Sequence, residues 1–125
     1  MSLLRKLQTL PLLASLLLCA VDTQAALDAK AQQEVGQLLT FIGQSDCVFI
    51  RNGSEYPASE ARAHLQKKLD YLEKKDLVSS AEDFIERAAS KSSMSGRRYE
   101  VNCPAGKQDA GAWLNDELKR LRQAR

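Results

Sequence analysis

Two cysteines, Cys47 and Cys103, constrain this chain more than any other feature once a leader carrying the third, Cys19, has been removed. Each stands in a β-rich run, and in an oxidising compartment a lone pair is most simply one disulfide. Bridged Cα atoms sit only about 5.5 Å apart, so two runs 56 positions distant in sequence must lie side by side. Closing a loop of that length stabilises a small domain by roughly 4 kcal/mol. No Cys-x-x-Cys pair lowers a thiol pKa for redox work. Two cysteines and one histidine also lack the fourth ligand and the spacing of a zinc site, so neither metal nor cofactor is expected.

The leader itself has three parts. Arg5 and Lys6 form a basic start, Leu10 to Val21 is an apolar run broken only by Pro11 and Ser15, and Thr23-Gln24-Ala25 offers small residues before a cut. Cleavage is expected between Ala25 and Ala26, with residues 26–125 left as a single small domain. The run is shorter than the roughly 20 residues needed to cross a bilayer core and stops at Asp22, which argues against an uncleaved anchor. Bulky Leu18 stands where lipidation of Cys19 would want a small residue. No transmembrane segment is expected after cleavage, and the expected location is the periplasm. Removing Arg5, Lys6 and Asp22 leaves 16 basic against 15 acidic residues, so no global charge draws the domain toward nucleic acid.

Along the remaining chain, Leu27, Ala31, Val35, Leu38, Leu39 and Ile42 recur at helical spacing, with Gly43 a stop signal. Cys47 to Arg51 reads as a strand, Asn52-Gly53 as a type I′ turn, and Pro57 as the end of any strand that follows. A second helix from about Ala58 to Lys75 buries Ala61, Leu65, Leu69 and Leu72. Ser79-Ser80-Ala81-Glu82 reads as a capping box, with Glu82 reaching back, opening a helix that turns Phe84 and Ile85 inward and pairs Asp83 with Arg87 outside. Tyr99, Val101 and Cys103 alternate with polar residues as a half-buried strand. After a Pro104 loop, Trp113 to Arg125 forms a last helix on Leu114, Leu118 and Leu121. The expected class is α+β, mostly helical: four amphipathic helices around a two- to three-stranded antiparallel sheet pinned by Cys47–Cys103.

Three stretches carry a family likeness: FIGQSDCVFIRNGSEY from Phe41 to Tyr56, the following AxxHLxxK through Ala61, His64, Leu65 and Lys68, and AEDFIERAASKSSMSGRRYEVNC from Ala81 to Cys103. With the Trp113-Leu114 helix, they resemble a family of small exported bacterial proteins known as a domain of unknown function. The resemblance covers nearly all of residues 26–125 and implies a Gram-negative periplasmic location. It implies no activity, substrate or site residue.

His64 is the single histidine, so any histidine acid–base chemistry must use it. It lies at the edge of the apolar stripe set by Ala61 and Leu65, with Lys67, Lys68 and Tyr71 close by; it is either a base or ligand donor, or a boundary histidine bonding across a contact. Ser92, Ser93 and Ser95 lack the strand–turn–helix setting of a nucleophile elbow and read first as a polar loop. With Arg97 and Arg98 beside them, the same hydroxyls can grip a carboxylate, phosphate or sugar. Arg51 leaves its strand on the Cys47/Phe49 face, to pair with an acid or meet the same anion. Lys119, Arg120, Arg122 and Arg125 suit a helix C-terminus, with weak anionic-surface contact as the alternative. Phe41 and Trp113, off the main stripes, read as core edge or as a partner-binding patch.

No assembled catalytic set is present, which favours a non-enzymatic binding or interaction module for an anionic or envelope-derived ligand or another envelope protein. The ligand-binding candidates are His64, Ser92, Ser93, Ser95, Arg97 and Arg98. A small hydrolase or transferase using His64 with a Ser92–Ser95 hydroxyl is the alternative, and a structural envelope-assembly factor a third reading. Convergence of these residues on one pocket would favour the first two.

Overall fold

The computed structural model describes residues 27–125; the leader, Cys19 and the expected cleavage site lie outside the described residues. Helix α1 (Ala29–Gln44) opens where the Asp28 carboxylate accepts the Ala31 N–H at 2.8 Å. It runs through Gly43 rather than stopping there, and Ser45 closes it by donating to the Ile42 carbonyl. The glycine serves packing instead: a Cβ at Gly43 would come within 2.8 Å of the Arg62 side chain on the neighbouring helix.

Strands β1 (Val48–Arg51) and β2 (Ser54–Pro57) form the hairpin that Asn52-Gly53 announces. Both turn residues have positive φ, 53° and 80°, as a type I′ turn requires. Pro57 ends β2 and passes directly into α2 (Ala58–Lys74). Helix α3 (Ala81–Ala88) is capped one residue later than expected. The Ser80 hydroxyl accepts the Asp83 N–H, and the Asp83 carboxylate turns back to accept both the N–H and the hydroxyl of Ser79, each bond at 3.0 Å. Asp83 therefore caps the helix instead of pairing with Arg87, and Glu82 is free to reach Arg122.

Beyond β3 (Glu100–Cys103), residues read as a loop form a fourth strand, β4 (Gly106–Asp109), so the sheet exceeds the two or three strands expected. Helix α4 (Ala110–Gln123) begins three residues before Trp113 because Asp109 caps it, accepting the Ala112 N–H at 3.1 Å. The sheet order is β2-β1-β3-β4, antiparallel throughout. The disulfide joins Cys47 and Cys103, one step beyond the Val48–Asn102 pair, and so pins the two central strands.

Pleating sends Cys47, Phe49 and Val101 to the buried face, where the helices pack, and leaves Glu55, Asn102 and Lys107 exposed. Phe84, Leu38, Ile42 and Leu114 are fully enclosed between the layers. Phe41 and Trp113 stack at 4.5 Å between ring centroids, and Trp113 meets Phe49 edge-on at 5.5 Å, so both belong to the edge of the core. The basic tail does more than complement a helix dipole. Arg122 binds Glu34 of α1 through two nitrogens at 2.9 Å and Glu82 of α3 at 2.6 Å, while Arg125 also binds Glu34.

A candidate ligand cleft between α2 and the sheet

Alternation places Arg51 on the core face of β1, two residues beyond Phe49, and cross-strand pairing sets Tyr56 opposite Phe49. Arg51 donates to the Tyr56 hydroxyl at 3.1 Å and lies over that ring, 4.8 Å from its centroid. Tyr99, just before β3, is held by its backbone: its N–H donates to Ser90 at the end of α3, and its carbonyl accepts from Ala110 at the start of α4. Its ring is thereby fixed under α2.

Helical spacing aligns His64 and Lys68 over this ring. His64 Nε2 lies 3.3 Å from the Tyr99 hydroxyl, and Lys68 Nζ donates to that hydroxyl at 3.0 Å and to the Lys91 carbonyl at 3.1 Å. When the Tyr99 hydroxyl, which accepts from Lys68, turns its own proton toward Nε2, the neutral imidazole carries its proton on Nδ1.

A cleft of about 250 Å3 opens between these elements. Phe49, Ala61, Leu65, Ala89, Ala110 and Leu114 form its apolar interior. Arg51, Tyr56, Glu60, His64, Lys67 and Tyr99 supply its polar lining. Burial, then the charge of Arg51, pulls the Lys68 ammonium down to about 8. Burial again, followed by Arg51, Lys68 and Lys67, lowers His64 and favours the neutral ring. Burial raises the Tyr99 phenol. Among the described residues, the ion pairs involve Arg98, Arg120, Arg122 and Arg125; neither Arg51 nor Lys68 is in one.

The other candidate residues stand elsewhere. Buried Ser92 accepts the N–H groups of Met94 and Ser95, each at 3.2 Å, and the Asn52 amide at 3.3 Å. Ser95 donates to the Asn52 side-chain oxygen and accepts the Arg97 N–H. Together they fasten the loop to the β1–β2 turn, with the exposed Arg97 guanidinium close over Gly53. Ser93 is exposed. Arg98 makes a two-pronged pair with Asp109, at 2.6 and 2.9 Å, at the start of α4. None of these five lines the cleft. The structure thus brings His64 together with Arg51, Lys68, Tyr56 and Tyr99, and leaves the serine–arginine loop outside that group.

Tyr56, Glu60 and Tyr99 were not singled out from the sequence as site residues. The available signal was the two tyrosines: Tyr56 falls on the inward side of β2 and Tyr99 immediately precedes β3, where a buried or half-buried hydroxyl needs a partner. Among the described residues, no group of three His, Cys, Asp or Glu side chains is placed to hold a metal, and no helix is long and apolar enough to cross a membrane.

Fold and cleft define a small disulfide-pinned α+β domain, four helices on one face of a four-stranded sheet with a basic, aromatic-rimmed cavity between the layers. The chain belongs to a family of unknown function, DUF5329, whose model matches residues 29–122. It is 34% identical over 84 residues to "Uncharacterized protein YfeK" of Salmonella typhimurium (strain LT2), an alignment covering 66% of this chain and 68% of the relative. No solved structure matches it.

Proposed function

We propose that this protein is an exported periplasmic binding module, not an enzyme, and that the cleft between α2 and the sheet holds a small anionic ligand. One observation carries this reading: Arg51, His64 and Lys67 line one cavity, Lys68 joins it through the Tyr99 hydroxyl, and none of the three cations is in an ion pair among the described residues. Partly desolvated cations that repel one another cost stability, and an anion placed among them reverses the sign of the interaction. The leader of residues 1–25 supports export. The hydrolase reading draws less support, because the Ser92 oxygen already accepts three N–H donors and the His64 Nε2 is engaged by Tyr99.

The test titrates untagged protein with chloride, phosphate and carboxylate salts at constant ionic strength, reading thermal stability and the NMR signal of the single imidazole. At least one anion class should raise the melting temperature and move the His64 resonance, and Arg51→Met should suppress both. If no anion does either, the cleft is not an anion site.

A further inference from the structure

We infer that the ligand of this cleft is a small amphiphilic monocarboxylate, its carboxylate held at the Arg51–His64 rim and its apolar body in the space between Phe49 and Leu114. This rests on the anion-binding reading above and narrows it to one chemical class.

Arg51 gives one N–H to Tyr56, which leaves the rest of its donor fork unclaimed by any side chain described. The Tyr56 hydroxyl, accepting that bond, retains its own proton, and His64 Nδ1 has no hydrogen-bond partner among the described residues. Glu60, in the exposed first turn of α2, is the one carboxylate of the lining. Apart from Glu60, the rim therefore offers donors and needs an acceptor. The planar guanidinium fork matches a carboxylate through two parallel bonds.

The interior then decides between anions. Its inner lining from α3 and α4 is Ala89, Ala110 and Leu114, which bring no charge and no side-chain hydrogen bond. A compact phosphate or sulfate would leave that space unfilled. Even with Lys67 beside Arg51 on the lining, its second charge would be drawn out of water toward an interior that offers it no donor. A carboxylate with an apolar tail uses both halves. Volume sets the length: about 250 Å3 is roughly eight water volumes at about 30 Å3 each. That is the scale of benzoate or hexanoate, and the aromatic edges of Phe49, Tyr56 and Tyr99 suit a flat ring.

The experiment measures binding of benzoate, hexanoate, acetate, phosphate and the neutral analogue benzyl alcohol to protein produced from the full chain. His64 NMR shifts and fluorescence of Trp113, which touches Phe49, give two readouts. Benzoate and hexanoate should saturate, with acetate, phosphate and benzyl alcohol at least tenfold weaker. Arg51→Met should weaken benzoate at least tenfold. Ala63→Leu, at an exposed helical position on the cleft lining, should do so by filling space without touching the core, and it serves where Arg51→Met fails to fold. Benzyl alcohol binding as tightly as benzoate would overturn the carboxylate assignment. Phosphate or acetate matching benzoate would overturn the amphiphile while leaving an anion cleft in place. Silence of His64 and Trp113 toward every anion would overturn both.

Discussion

Replacing Glu34 by Gln tests the lock that joins three helices. The Glu34 side chain is only 3% exposed, yet it projects from the apolar stripe of α1 and receives Arg122 and Arg125 from the end of α4. Those hydrogen bonds hold its carboxyl at about 2, well below the ordinary 4.5, with burial opposing. A displacement of that size corresponds to about 3 kcal/mol at roughly 1.36 kcal/mol per unit. The two arginines are 38% and 41% exposed, so solvent screening reduces this to about 2 kcal/mol. Gln keeps an acceptor and the volume but loses the charge. Because the folded-state pKa is depressed, the contribution is complete above the unfolded-state value near 4.5 and disappears as pH falls toward 2. Urea unfolding at pH 7 should find Glu34→Gln less stable by about 2 kcal/mol, and the gap to the native chain should close between pH 4.5 and 2. A gap that stays constant across that window would refute an electrostatic origin.

Three further outcomes follow from the same geometry and from the expected leader. Cys103→Ala should cost about 2–5 kcal/mol, and thiol titration of the unfolded, unreduced protein should find no free thiol after residues 1–25 are removed. Protein recovered from the periplasm should have an intact mass beginning at or within a residue or two of Ala26; a retained leader or a lipid on Cys19 would contradict this. Lys68→Met should leave stability at pH 7 unchanged or raised by at most about 2 kcal/mol, since it replaces a desolvated charge by an apolar chain of similar length. Its advantage should shrink from pH 8 toward 10, where the native chain sheds the Lys68 proton that the unfolded chain still holds. A difference constant over that range would sink the explanation.

Where local chemistry decided the structure, the sequence was legible. Periodicity located all four helices, and Asn52-Gly53 located the hairpin because few other dipeptides accept two successive positive φ values. Strand β4 was not legible. Gly106-Lys107-Gln108-Asp109 has no apolar alternation and is extended because β3 pairs with it, a tertiary effect acting over local propensity. The α3 cap slipped by one residue because two adjacent serines and two adjacent acids offer two registers, and only packing of the helix selects one. The Glu34–Arg122 pair spans 88 positions, too far for any spacing rule, although a glutamate between Ala31 and Leu38 on a buried stripe does announce a missing partner. The cleft failed to show for the same reason. His64, Lys68 and Arg51 each stand out in the sequence, but their meeting depends on Tyr99, which is tied between α3 and α4 and shows its role only once both helices are placed.

Ion pairing distinguishes four arginines from the cations at the proposed cleft. Arg98, Arg120, Arg122 and Arg125 all meet carboxylates, whereas Arg51 lines the cleft with His64, lowers the neighbouring Lys68, and together with Lys68 and Lys67 lowers His64. Holding these cations together, with Glu60 the one acid of the lining, carries a cost that the proposed anion would offset. The consequence is a proton linkage. The groups around the cavity are Arg51 and the two phenols from the sheet side, and Glu60, His64, Lys67 and Lys68 from α2. An anion among them favours the charged forms of His64 and Lys68, so binding takes up protons. Affinity should be flat only below the pH at which free His64 loses its proton, fall through that first range, and fall again as pH rises above the free-state Lys68 value of about 8. With benzoate as probe, titration calorimetry in two buffers of different ionisation enthalpy would count those protons, and Lys68→Met should abolish the decline around pH 8. Affinity independent of pH from 6 to 9 would mean the anion sits beyond the reach of both groups, and the cleft would revert to an unfilled seam between α2 and the sheet.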